Sequence, residues 1–134
     1  MATSRSLMDI RVEMSGTVAV VTVVGECDAS EASRLAYALR DARLTAEEVH
    51  LDLSELAFLD SATLRVLYSE SVEFELDSSR LVLVDPQPGI RRVLQIAGLD
   101  SRFEVRSSRD GASNGHFPFP QPDPWDALGP VDEA

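Results

Sequence analysis

Residues 49–70 read VHLDLSELAFLDSATLRVLYSE, and the spacing of their apolar side chains changes partway along. Residues 49–53 alternate between apolar and polar side chains, which is typical of a strand with one covered face. From residue 61 onward the apolar positions recur every three or four residues, which predicts a helix. The predicted buried stripe of this helix consists of Leu64, Leu67, Tyr68 and Val72. We therefore predict a strand, a short connection over residues 54–60, and a helix.

Two polar residues, Asp60 and Ser61, stand where this helix begins. Asp and Ser are residue types that cap free backbone N–H groups, so either side chain is a candidate for the cap. Helix N-termini also stabilise anions, and a phosphate on Ser61 would lie within reach of Arg65, one turn later. Thr63 offers a second hydroxyl, and we expect it on the solvated face.

The flanking sequence supplies the rest of the predicted sheet. Residues 8–14 alternate as a half-solvated strand, and residues 17–24 form a continuously apolar one. Asp28 or Ser30 can then cap a helix whose predicted buried stripe is Ala32, Leu35, Ala36 and Leu39. Beyond residue 70 the pattern predicts a strand at 81–84, a helix at 88–97 and a short strand at 103–106. The order β-β-α-β-α-β-α-β predicts an α/β fold with a mixed sheet of about five strands.

Three segments of this chain carry a family resemblance: GECD at 25–28, DLS at 52–54 and FLDSATL at 58–64. Together they resemble the signature of the STAS domains, specifically the bacterial anti-sigma factor antagonists. The resemblance covers about residues 8–106 and implies a single STAS-like domain. Three residues depart from the family pattern, in which Ala62 would be Ser or Thr and Thr63 and Arg65 would be Gly.

The resemblance also implies a function and a site. The unphosphorylated protein would bind an anti-sigma factor that is also a serine kinase, and would thereby free a sigma factor for transcription. Phosphorylation at Ser61 would switch binding off, and a phosphoserine phosphatase would reset it. ATP would be the kinase's substrate, and no cofactor is expected for this chain. The residues expected to contact the partner are Asp28, Asp60, Ser61, Ala62, Thr63 and Arg65.

Two other functions stay open at this stage. A STAS subunit could dock on the ATPase of an ABC-type lipid transporter without any phospho-switch. A small-ligand sensor could use the C-terminal tail to close a pocket. The three hypotheses share the fold and differ in the partner.

Composition narrows the classes of partner and chemistry. The net charge of −11, from 12 basic and 23 acidic residues, disfavours binding to nucleic acid or to anionic lipid. The single cysteine, Cys27, excludes an intramolecular disulfide and favours a reducing compartment. We find no segment resembling a membrane span or a secretory signal, so a cytoplasmic location is expected. No nucleophile motif, phosphate loop or metal-ligand cluster is present, so we expect a binding protein and not an enzyme.

The C-terminal segment, residues 107–134, differs in kind from the rest. Five of the seven prolines lie there, and no strand or helix period is present. We expect an acidic, Pro-rich tail that is mostly extended or disordered. Its aromatic residues Phe117, Phe119 and Trp125 leave open whether the tail docks on an apolar groove.

Overall fold

A computed structural model describes residues 8–107 of the chain. Eight elements follow one another: β1 (Met8–Ser15), β2 (Val18–Cys27), α1 (Ala32–Thr45), β3 (Glu48–Leu59), α2 (Ser61–Leu76), β4 (Arg80–Val84), α3 (Pro88–Ile96) and β5 (Glu104–Arg106). The predicted α/β class and the predicted order of elements are confirmed. The predicted tail lies, from residue 108 onward, outside the described residues.

The five strands form one mixed sheet in the order β1-β2-β3-β4-β5. β1 is antiparallel to β2, and every later neighbour is parallel, with a helix in each crossover. Right-handed crossovers between successive neighbours place all their helices on the same face of the sheet. Buried residues of all three helices, among them Leu35, Leu67 and Leu94, accordingly join one cluster with the strand residues Val21 and Leu51.

The opposite face of the sheet carries a network of charged side chains across β3, β4 and β5. Glu48 is paired with His50, Arg80 and Arg106, and both arginines also pair with Glu104. The hydrogen bond from His50, together with the two arginines, holds the pKa of Glu48 below its usual value. The network therefore joins three neighbouring strands on the face that the helices leave open.

The predicted connection over residues 54–60 is wrong. β3 continues to Leu59, and only Asp60 separates it from α2. The pairing of β2 with β3 shifts register between Thr22 and Val24 and again between Gly25 and Glu26. Such irregularities break strict alternation, which is why Leu53, Leu56 and Leu59 are all buried although they lie three positions apart.

The predicted buried stripe of α2 is correct only at Leu67. The buried residues of this helix are Thr63, Leu67, Ser71 and Phe74. Tyr68 is 47% exposed, and Leu64 is partly buried at the edge of the core. The observed buried face is therefore rotated around the helix axis relative to the predicted one. It includes two hydroxyl residues, Thr63 and Ser71, which can be buried because their hydrogen bonds are made inside the protein.

Candidate functional site

The N-terminus of α2 is capped by Asp60 and not by Ser61. The Asp60 Oδ1 atom accepts the backbone N–H of Thr63 at 3.0 Å. This hydrogen bond, with others from the Thr63 hydroxyl and the backbones of Ala29 and Ala62, holds the pKa of Asp60 below its usual value of 3.8. Because Ala29 belongs to the segment between β2 and α1, the same carboxylate joins that segment to the start of α2.

Ser61 is the first residue of α2 and is exposed. Its hydroxyl makes no hydrogen bond with any other residue of the 8–107 segment. The cap is already provided by Asp60, so the fold does not depend on the Ser61 oxygen. The side chain is thus presented to solvent at the positive end of a helix dipole.

Thr63 does not lie on the solvated face, and the expectation that placed it there is wrong. Its side chain is completely buried, with 0% exposure. The Thr63 hydroxyl lies 2.9 Å from the Cys27 carbonyl oxygen, 3.1 Å from Asp60 Oδ1 and 3.3 Å from Cys27 Sγ. Thr63 therefore ties the end of β2 to the start of α2 and does not form part of the outer surface.

The segment between β2 and α1 contributes Asp28 to the same edge of the sheet. Asp28 does not cap α1, contrary to one of the two predicted possibilities, because α1 begins after Glu31 without a side-chain cap. The Asp28 Oδ1 atom instead accepts the backbone N–H and the hydroxyl of Ser30, at 2.9 and 2.6 Å. Asp28 is half-buried and stabilises its own turn close to Ala29, which bonds Asp60.

The neighbouring cysteine is structural. Cys27 is fully buried. Burial raises the pKa of its thiol, the Thr63 hydrogen bond lowers it, and the nearby carboxylates of Asp60, Glu31 and Asp28 raise it further. The thiol therefore stays protonated and serves as packing at the end of β2.

A groove of about 570 Å³ runs between α1 and α2 beside Ser61. Ser61, Ala62 and Arg65 line one wall together with Val66, and small α1 residues such as Ala32 and Ala36 line the other. The Arg65 side chain is exposed and makes no ion pair within residues 8–107. Arg65 and Ser61 are thus brought to one groove, as predicted from their spacing, and the arginine is not engaged elsewhere in this part of the chain.

Phe58 is a surface residue that the sequence reasoning assigned only to a connection. It lies near the end of β3, two residues before Asp60, and is 47% exposed. Aromatic side chains are enriched among the residues that anchor protein interfaces, so Phe58 is a candidate contact for a partner. Extending the predicted strand to residue 59 could have identified it, since Phe58 then stands between the buried positions Leu56 and Leu59.

Within residues 8–107 no three His, Cys, Asp or Glu side chains are grouped so as to hold a metal ion. Nor does this segment contain a helix with the length and apolar character to cross a membrane.

Comparison with known proteins identifies related sequences. Residues 10–106 match the family described as Mlab, STAS domain. A candidate anti-sigma factor antagonist, BtrV of Bordetella bronchiseptica, is 37% identical over 65 residues. That match covers 48% of this chain and 56% of BtrV, so it spans little more than half of the relative.

Solved structures share the same arrangement of strands and helices. An anti-sigma factor antagonist from Mycobacterium paratuberculosis is 28% identical with a TM-score of 0.66, over 73% of this chain and 84% of the other. The unphosphorylated form of SpoIIAA, an anti-sigma factor antagonist of Bacillus, is 20% identical with a TM-score of 0.66. That match covers 81% of this chain and 99% of SpoIIAA. The phosphorylated form of SpoIIAA matches with a TM-score of 0.62.

Proposed function

Because the chain belongs to the STAS domain family, with residues 10–106 matching the family, we propose that it is an anti-sigma factor antagonist switched at Ser61. The unphosphorylated protein binds an anti-sigma factor that is also a serine kinase, and so frees a sigma factor. Phosphorylation of Ser61 by that kinase weakens the complex, and a phosphatase reverses the modification. The chain acts by binding, in the cytoplasm, and carries no cofactor of its own.

The proposal rests on the different roles of Asp60 and Ser61 at the start of α2. Asp60 makes the capping hydrogen bond to Thr63, whereas the exposed Ser61 hydroxyl makes none within the described residues. A kinase can therefore reach Ser61, and the loss of its proton on modification breaks no bond that the fold needs. Ser61 can change its charge while the domain stays folded.

A phosphate at this position would be compatible with the fold. It adds a charge of about −1.5 to −2. Backbone N–H groups and the helix dipole favour an anion at the N-terminus of α2, and Arg65 lines the same groove. The modification thus alters the surface of the protein and leaves its core unchanged.

The same phosphate would weaken a complex formed over this surface. A partner that covers Ser61 would have to remove water from the phosphate, and a buried charge without a counter-ion is costly. In an interface that also covers Phe58 and the Arg65 groove, the single positive charge of Arg65 would only partly offset the phosphate, whose other neighbours include uncharged side chains such as Ala62 and Val66. Binding of the phosphorylated form should therefore be at least about tenfold weaker, or about 1.4 kcal/mol.

The relatives support this assignment over the transporter alternative. BtrV is described as a candidate anti-sigma factor antagonist, and the Mycobacterium protein is described as an anti-sigma factor antagonist. A STAS subunit docked on the ATPase of an ABC-type lipid transporter would use the same face without modification. In that case Ser61 would be a contact residue only, and no phosphate would be found on it.

The decisive experiment compares Ser61 variants in one binding assay. The anti-sigma partner is first captured from the native cytosol on the immobilised full chain, identified and purified. Isothermal titration then measures its affinity for wild type, Ser61→Ala, Ser61→Asp and the control Ser101→Asp. Ser101 is exposed and precedes β5, so this control adds the same charge at the amino end of a parallel strand.

We expect Ser61→Ala and Ser101→Asp to bind like wild type and Ser61→Asp to bind at least about tenfold more weakly. Incubation of the chain with the partner and ATP should add one phosphate. Mass spectrometry should locate it at Ser61, and Ser69→Ala, changed in the same groove, should still accept it. Equal affinities for all four proteins, or an unmodified Ser61, would contradict the switch.

A further inference from the structure

The outer edge of β1 is a long strand edge with one partner. All eight residues of β1 pair with β2 in an unbroken antiparallel register, from Met8 opposite Gly25 to Ser15 opposite Val18. Within residues 8–107 no strand lies on the other side of β1. Strand edges of this kind present backbone groups that can pair with another strand, and proteins usually shorten, bend or cover them.

Two apolar side chains on this edge are exposed. Val12 is 50% exposed and Met14 is 51% exposed, and both lie on the face of the sheet that the helices cover. At the other end of the strand Met8 is buried, and its carbonyl accepts the Arg34 guanidinium of α1 at 3.1 Å. The helices therefore cover the start of β1 and leave its second half open, as expected for a surface that an additional strand would complete.

The charges on the opposite face of β1 make the strand complementary to itself. Arg11 and Glu13 point to that face and lie on either side of Val12. Glu13 has no ion pair among the described residues, and Arg11 has only a 3.6 Å contact with the exposed Asp9. In an antiparallel pair with a second copy, centred on Val12, Arg11 of each copy stands opposite Glu13 of the other. The dimer therefore contains two pairs of opposite charge.

Other symmetric registers are less favourable. A pair centred on Arg11 would place Asp9 opposite Glu13, which are like charges. A pair centred on Ile10 would also set opposite charges together, Arg11 opposite Asp9, but among the described residues it joins only positions 8–12 and leaves the exposed Met14 uncovered, whereas the pair centred on Val12 joins residues 9–15. The register centred on Val12 also sets Val12 against its own copy and Met14 against Ile10, so the exposed apolar side chains are covered.

We propose that β1 is an interface between two copies of this chain, which pair edge to edge around Val12 into one ten-stranded sheet. The two-fold axis is perpendicular to the sheet, so the helices of both copies lie on the same face. Backbone hydrogen bonds supply the contact, the apolar residues exclude water from it, and the Arg11–Glu13 pairs fix the register. This interface goes beyond the proposed antagonist function, since it uses neither Ser61 nor the groove between α1 and α2.

Charge exchange in the full-length protein tests this interface. Sedimentation equilibrium across a wide concentration range gives the dimer dissociation constant for wild type and for Arg11→Glu, Glu13→Arg and the double variant. Each single change turns both opposite-charge pairs into like-charge pairs, so each should raise the dissociation constant at least about tenfold. The double variant restores the opposite pairs and should return to within about threefold of wild type.

Arg92→Glu is the matched control, because it makes the same charge change on the exposed surface of α3 and should leave the dimer unchanged. Circular dichroism of each variant verifies that the fold is retained. A wild type that stays monomeric at about 1 mM would overturn the proposal. Single variants that dimerise like wild type would also overturn it, because they would indicate a different surface. The same holds for a double variant whose dissociation constant does not return towards that of wild type.

Discussion

Replacement of Thr63 by Val should destabilise the domain although it scarcely changes the volume of the side chain. Val keeps the branched shape and removes the hydroxyl that lies 2.9 Å from the Cys27 carbonyl oxygen and 3.1 Å from Asp60 Oδ1. The position has 0% exposure, so no water can replace the lost donor. The Cys27 carbonyl then loses a buried hydrogen-bond donor while β2 and α2 stay packed together.

The expected cost is about 1–3 kcal/mol, which is the usual penalty for leaving a buried polar group without its partner. For a domain of about 100 residues each kcal/mol lowers the melting temperature by about 4–8 °C. We therefore expect Thr63→Val to melt roughly 4–24 °C below wild type. Thr63→Ser keeps the hydroxyl and loses one methyl group, so it should cost less than the valine variant.

Urea unfolding followed by circular dichroism measures this difference, with Thr17→Val as the matched control. Thr17 is exposed in the turn between β1 and β2, where the same substitution should change the free energy of unfolding by no more than about 0.5 kcal/mol. If Thr63→Val were as stable as wild type, the hydroxyl would not join β2 to α2. If Thr63→Ser were less stable than Thr63→Val, the methyl packing and not the hydrogen bond would be the main contribution.

Three further changes test the site and the core. Arg65→Ala should destabilise the Ser61-phosphorylated protein by roughly 0.3–1 kcal/mol more than the unmodified protein, because the arginine lines the groove beside the phosphate. Equal losses of stability in urea unfolding would show that Arg65 does not contact the phosphate. Hydrogen bonds hold the pKa of Asp60 below 3.8. The cap therefore adds to the free energy of unfolding at pH values above 3.8, and this contribution is lost as the pH falls through the lowered pKa. Asp60→Asn keeps a capping oxygen that does not titrate, so its urea midpoint should fall less than that of wild type between about pH 6 and pH 3; parallel curves would show that Asp60 does not contribute to the acid sensitivity. Leu67→Ala should lower the free energy of unfolding by about 2–5 kcal/mol because Leu67 is 1% exposed. Leu76 is 72% exposed, so Leu76→Ala should change it by less than about 0.5 kcal/mol. Similar losses for the two variants would contradict the orientation of α2.

The sequence predicted the order of elements because the periodicities are strong in most of them. It failed at α2, where counting apolar residues selected Tyr68 and overlooked Thr63 and Ser71. The Ser71 hydroxyl donates to the Tyr68 carbonyl at 2.6 Å and accepts from Arg102 at 2.9 Å. Hydroxyl groups satisfied in this way can be buried at little cost, and a partner such as Arg102, 31 residues away, is not visible in a local pattern.

The roles of the candidate site residues stay predictions, and only their placement can be compared with the structure. The spacing of Ser61 and Arg65 correctly indicated that they share one surface. The choice between Asp60 and Ser61 as the cap could not be made from residue types, since both cap helices equally well. Thr63 was misplaced because its burial depends on Cys27, which is 36 residues earlier in the chain.

The strand order has a consequence for the way the chain can be synthesised and folded. Because the five strands of residues 8–107 have the same order in the sheet as in the sequence, none of the five has to insert between two others that are already paired. The β1–β2 hairpin is complete once residue 27 has left the ribosome, and each later helix and strand adds to the growing edge. Every pairing joins strands that are consecutive in the sequence, so it closes a shorter stretch of chain than a pairing between distant strands would. The described sheet can therefore be built during translation, one βα unit at a time, with β5 as the last of its five strands to join.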